Sequence, residues 1–122
     1  MDSYLALQWQ YITAMITAYY KIVASAGQKE AILESLRSFM GPTEVKSGCV
    51  RCSLSQDVDE PDCIIYTEEW QTDADLANHV RSPRYLQLLA IIDLSVSEPE
   101  VKFYTTTEIK GMEYIEAIRL GK

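Results

Sequence analysis

The chain has 122 residues, 48% of them hydrophobic, which fits one compact domain with a buried core and leaves little for a second. Its 18 acidic side chains outnumber the 11 basic ones for a formal net charge of −7, so no face is expected to carry the dense positive field that a phosphate backbone requires. The same acidity disfavours an anionic membrane surface, and the longest apolar runs, such as Leu86 to Ile92, fall far short of the ~20 residues of a membrane span. Neither nucleic acid nor membrane is therefore an expected partner.

The first ten residues, MDSYLALQWQ, lack the basic start, apolar core and small-residue cleavage site of a secretory signal and read as the N-terminal extension of a cytoplasmic protein. From Tyr11 to Ala24 the sequence alternates. Ile12, Ala14, Ile16, Ala18, Tyr20 and Ile22 point one way, and Thr13, Met15, Thr17, Tyr19, Lys21 and Val23 the other. Both faces are partly apolar, as in a strand covered twice, and in a small domain the second cover can be another subunit. After Gly27, the stretch Gln28 to Met40 places Ile32, Leu36, Phe39 and Met40 at the spacing of a helix burying one stripe, which Gly41-Pro42 ends or kinks.

Cys49 to Gln56, the acidic turn DVDEPD and Asp62 to Trp70 read as a hairpin with a longer loop. Three cysteines, Cys49, Cys52 and Cys63, are an odd number that fits a reducing compartment rather than a disulfide framework. Cys49 and Cys52 have C-x-x-C spacing, but in a strand that spacing puts the thiols on opposite faces, so no redox or metal role is expected of them. The adjacent Glu68 and Glu69 also point to opposite faces. One of them turns inward and needs a partner.

Thr72 can cap a helix, with Asp75 reaching back three residues later. Leu76 and Val80 share one face of that helix, and His79, the single histidine, borders it and looks inward or along a cleft edge. Ser82-Pro83 opens a further helical segment whose Tyr85, Leu86, Leu88, Leu89, Ile91 and Ile92 make it apolar nearly all round. Arg81 and Arg84 flank this junction and read as surface partners for the many acids, with a hold on a substrate oxyanion as the alternative. A last alternating strand, Glu100 to Ile109, stops at Gly111, and Met112, Ile115 and Ile118 mark a short amphipathic helix over 111–120. The order strand, helix, strand, strand, helix, strand predicts an α+β domain with helices on one face of an antiparallel sheet.

Taken together, SGCVRCSLSQ, the acidic turn, IIYTEEW, the helix with L-x-x-H, S-P-x-Y and a closing strand after Pro99 resemble the antibiotic biosynthesis monooxygenase family over a core of roughly 12–109. The resemblance implies a ferredoxin-like βαββαβ fold. It also implies a homodimer in the form of a dimeric α+β barrel, its two sheets face to face, with a small-molecule cavity in each subunit between sheet and helices. Some relatives are cofactor-free oxygenases of quinols and polycyclic phenols, and others degrade haem. On a phenol the protein has little to supply: the substrate is deprotonated, the anion gives an electron to O₂, and the radical pair recombines in a dry pocket.

His79 matches the family's histidine after the strand-ending tryptophan and is the candidate for the proton task. A cleft-edge histidine that bonds only backbone is the alternative. Trp70 can stack on an aromatic substrate or simply anchor the core. Tyr66, Tyr85, Tyr19 and Tyr104 can supply phenolic hydrogen bonds at the cavity, or pack. The haem-degrading branch calls for an asparagine on the first strand, a tryptophan where His79 stands, and a later haem-ligating histidine. The sole asparagine here is Asn78, and Leu88 and Leu89 occupy the ligand's expected place. The expectation is a cofactor-independent monooxygenase, needing no cofactor or metal, that oxidises a small quinol-like or phenolic aromatic substrate. The alternative is a non-catalytic dimeric small-molecule-binding or stress-associated module of the same fold.

Overall fold

The computed structural model describes residues 14–121. Strand β1 (Met15–Val23) alternates strictly, with Ile16, Ala18, Tyr20 and Ile22 buried, as the sequence parity requires. The part of the expected strand over 11–13, and the N-terminal extension, lie outside the described residues. Helix α1 (Lys29–Glu44) buries Ile32, Leu33, Leu36, Phe39 and Thr43. It runs through Gly41-Pro42 instead of ending there, and the reason lies far away in sequence. Pro42 has no N–H for the Ser38 carbonyl, and Arg84 Nη2 donates to that carbonyl at 2.9 Å and to the Phe39 carbonyl at 3.4 Å. The guanidinium also lies 5.4 Å from the Phe39 ring centre. Arg84 is thus a repair for a broken helical turn, not a surface partner for acids.

Strands β2 (Cys49–Gln56) and β3 (Cys63–Trp70) form the expected hairpin, with one irregularity. Cys49 opposes Trp70, Arg51 opposes Glu69 and Cys52 opposes Glu68, so Val50 has no counterpart and β2 bulges there. Three residue steps on β2 match two on β3. The bulge turns Cys52 onto the same face as Cys49, which corrects the expectation that the two thiols face apart: their sulfurs are 3.9 Å from each other.

Helix α2 (Asp73–Arg81) starts as predicted. The Thr72 hydroxyl accepts from the Asp75 N–H at 3.1 Å and donates to the Asp75 carboxylate at 2.8 Å. Gly48, at φ +85°, presses on this cap, because a Cβ there would lie 2.2 Å from Asp75 Cγ. Helix α3 (Tyr85–Ile92) begins two residues after Pro83, with the Ser82 and Pro83 carbonyls accepting from the Tyr85 and Leu86 N–H groups in a tight turn. It buries Tyr85, Leu88, Ile91 and Ile92 and leaves Leu86 and Leu89 exposed. Strand β4 (Glu100–Thr106) is shorter than predicted, and helix α4 (Met112–Arg119) buries none of its residues.

The four strands make one antiparallel sheet in the order β2-β3-β1-β4, the ferredoxin-like arrangement. Its inner face packs on α1 and α3 through Ala18, Tyr20, Ile22, Ile64 and Tyr66 against Leu36, Phe39, Leu88 and Ile91. The outer face carries Tyr19, Thr67 and Tyr104, half-buried to exposed. Among the described residues no helix is long and apolar enough to cross a membrane.

Candidate functional site

The parity of β3 sends Tyr66, Glu68 and Trp70 to the inner face, where each is at most 1% exposed. Glu69 faces outward and pairs with Arg51 at 3.0 Å. Glu68 is the inward acid that needed a partner, and it has three. Its Oε2 accepts from the Tyr66 hydroxyl at 2.7 Å and from His79 Nε2 at 3.1 Å, and its Oε1 accepts from Trp70 Nε1 at 3.0 Å.

His79 comes from α2, and its other ring nitrogen fixes its state. Nδ1 lies 3.1 Å from Lys46 Nζ, which also donates to Ser82 Oγ at 3.2 Å. An ammonium can only donate, so Nδ1 presents its lone pair and the ring proton sits on Nε2, aimed at Glu68. The imidazole is neutral and Glu68, surrounded by donors, is the carboxylate. Burying such a charge unpaired costs several kcal/mol, which three charge-assisted hydrogen bonds of about 1.5–3 kcal/mol each can offset. The half-buried Lys46 balances the charge through the ring rather than by contact.

Aromatic rings enclose the imidazole. Trp70 lies 4.7 Å from it at a tilt of 31°, Phe39 at 5.6 Å, and Tyr85 edge-on at 5.2 Å. Tyr20 stacks on Tyr66 at 5.8 Å and shares a 2.7 Å hydrogen bond with the Tyr85 hydroxyl. Burial first, then the Glu68 charge, holds the Tyr20 and Tyr66 phenols well above their ordinary pKa, and burial does the same for Tyr85. All three remain O–H donors throughout the neutral range.

Four of the six residues singled out by sequence, His79, Trp70, Tyr66 and Tyr85, therefore meet in one cluster. Tyr19 and Tyr104 do not join it: they sit on the outer face of the sheet, edge to face at 6.4 Å. Sequence reasoning did not identify Glu68 as the centre, although the shared parity of Tyr66 and Trp70 points to it. Tyr20, on the buried side of β1, could have been found by the same parity. Lys46, in the loop before β2, carries no such signal.

A groove of about 410 Å³ opens between α1 and β2, lined by Leu33, Arg37, Met40, Cys52 and Leu54 among others. None of the cluster residues lines it. Its wall reaches the cluster through Cys52, whose sulfur is 3.6 Å from the Tyr66 hydroxyl oxygen. Among the described residues no three His, Cys, Asp or Glu side chains are arranged to hold a metal ion.

A family model described as antibiotic biosynthesis monooxygenase matches residues 15–90. No functionally curated protein matches the chain. Among solved structures, a protein of Shewanella oneidensis is similar with a TM-score of 0.70 and 21% identity, covering 77% of this chain and 92% of its own. A conserved protein of Methanosarcina mazei has a TM-score of 0.71 at 20% identity over 80% and 97%. A candidate antibiotic biosynthesis monooxygenase of Nitrosomonas europaea has a TM-score of 0.69 at 20% identity over 80% and 94%. At such identities the likeness shows the fold.

Proposed function

The chain belongs to the antibiotic biosynthesis monooxygenase family, and from that premise we propose that it is a cofactor-independent monooxygenase that oxidises a small quinol-like or phenolic aromatic with O₂. The observation that carries this reading is the buried Tyr66–Glu68–His79 chain, which ends beside the groove at Cys52. With the Cys52 side chain, which stands between groove and cluster, turned aside, a substrate hydroxyl at the inner end of the groove gives its proton to the Tyr66 oxygen while Tyr66 passes its own to Glu68. Because its pKa is raised, Tyr66 acts as a relay and not as a resting phenolate. His79 and Lys46 hold Glu68 in place and share the charge change when the proton arrives. The substrate anion then transfers an electron to O₂, the radical pair recombines as a peroxide on a ring carbon, the relay returns its proton to that peroxide, and water leaves with the carbon's own hydrogen, so that one oxygen atom stays on the ring as a carbonyl. Trp70 and Phe39 keep this end of the site dry.

Oxygen uptake with a panel of hydroquinones, without added flavin, metal or haem, tests the reading. Uptake that depends on the enzyme supports it, and no uptake across the panel removes it.

One observation favours a second reading, a dimeric module that binds a small molecule without turnover. Every donor around Glu68 is already satisfied inside the fold, so the cluster can serve as a polar core alone. Ligand-dependent rises in Tm without oxygen uptake are its signature. Both readings include a homodimer packed through the outer sheet face, where Tyr19 and Tyr104 would be interface residues rather than cavity ones. Sedimentation at a mass of one chain across the micromolar range would exclude that dimer.

A further inference from the structure

The bulge at Val50 does more than rearrange β2. An unbulged strand would separate Cys49 and Cys52 by about 10 Å and turn them to opposite faces. Here they oppose Trp70 and Glu68, two residues apart on the regular β3, so the bulge draws the span between them in toward a two-residue rise of about 6.6 Å. That falls inside the roughly 4.4–6.8 Å window that a disulfide spans. Their sulfurs are 3.9 Å apart, both side chains are half-buried, and β2 is an edge strand of the sheet among the described residues.

From this geometry we infer that Cys49 and Cys52 form a reversible dithiol–disulfide site that exchanges with small-molecule disulfides of the glutathione class. Cys49, at the start of the strand, attacks first. Its thiolate takes one sulfur of oxidised glutathione and releases one glutathione thiolate. Cys52, held between Cys49 and the Tyr66 hydroxyl, then loses its proton and attacks the mixed disulfide, closing the Cys49–Cys52 bond and releasing the second glutathione. In sum, two protein thiols are oxidised and one glutathione disulfide is reduced to two thiols. Burial raises the pKa of both cysteines, so closure speeds up as the pH is raised toward the thiol range. Cys63 is 2% exposed on the neighbouring strand and takes no part.

The test uses the intact chain, equilibrated with mixtures of oxidised and reduced glutathione, alkylated and cut with trypsin. Cleavage after Arg51 separates the two cysteines, so their disulfide appears as two peptides joined together. The expected result is that joined pair, reversed by excess reduced glutathione, with Cys63 alkylated only after unfolding. Cys63→Ser keeps the joined pair, whereas Cys49→Ser and Cys52→Ser stop at a glutathione adduct on the remaining thiol. Stable glutathione adducts on both Cys49 and Cys52 of the wild-type chain would overturn the inference. So would free thiols at every glutathione ratio, or fragment spectra that place the bond on Cys63, which shares the tryptic peptide of Cys52.

Discussion

His79 Nε2 and Glu68 Oε2 stand 3.1 Å apart with neither side chain exposed to solvent, and the lysine on the far side of the ring decides which of them carries the proton. The buried carboxylate therefore has a neutral histidine as its neighbour and a cation one ring away. Such an arrangement holds a negative charge without quenching it by direct contact.

The tautomer is directly testable, since His79 is the chain's single histidine. Nitrogen NMR of the folded protein at neutral pH is expected to show Nε2 protonated and Nδ1 bare. In Lys46→Met, which removes the donor at Nδ1, the Nδ1 resonance is expected to shift while Nε2 keeps its proton. A wild-type ring protonated on Nδ1 alone would break the assignment.

Glu68→Gln keeps the shape of the site but replaces one acceptor oxygen with a donor that faces other donors. The expected cost is about 1.5–3 kcal/mol, the worth of a hydrogen bond to a charged group. It is read as a lower urea midpoint with an unchanged slope. No change in midpoint would mean that Glu68 is not ionised in the fold.

Stability should fall at alkaline pH. Tyr20, Tyr66 and Tyr85 have raised folded-state pKa values, so their contribution is fully present below the ordinary phenol value near 10 and is lost above it, where only the unfolded chain ionises. Each adds a slope of about 1.4 kcal/mol per pH unit. In an ultraviolet titration these three phenols are expected to ionise together with unfolding, after the exposed tyrosines. Smooth, independent ionisation of all eight tyrosines would count against their burial.

Arg84 and Pro42 should be coupled. Arg84→Met takes the guanidinium from the exposed Ser38 carbonyl and leaves it to water, at a cost of about 1 kcal/mol, the net worth of an ordinary hydrogen bond. In a Pro42→Ala background the restored N–H serves that carbonyl, and the same substitution is expected to lose most of that cost. Equal costs in both backgrounds would mean that the guanidinium does not replace the missing helical bond.

Local pattern made much of this legible. The parity of β1, the stripe on α1, the Thr72 cap and the inward turn of one of the Glu68-Glu69 pair all depend on periods of two or 3.6 residues, and the structure follows them. Three features escaped because their causes are not local. Pro42 is tolerated inside α1 because a side chain from beyond α2 reaches the freed carbonyl. The bulge at Val50 has no glycine to announce it, and it reverses the facing of Cys52. Lys46 meets His79 only because the hairpin brings the loop before β2 alongside α2. Tyr19 and Tyr104 show the converse case: their residue type suggested a cavity, but strand parity put them on the other side of the sheet.

The measurement closest to the central claim is oxygen uptake by Tyr66→Phe on a hydroquinone that the wild-type protein oxidises, with folding verified by Tm. Tyr66 is the link between the groove and Glu68, so removing its hydroxyl is predicted to lower kcat by at least ~100-fold, the low end of what a positioned proton-transfer group contributes. An unchanged kcat in a folded Tyr66→Phe protein would contradict the relay and leave the buried cluster a purely structural one.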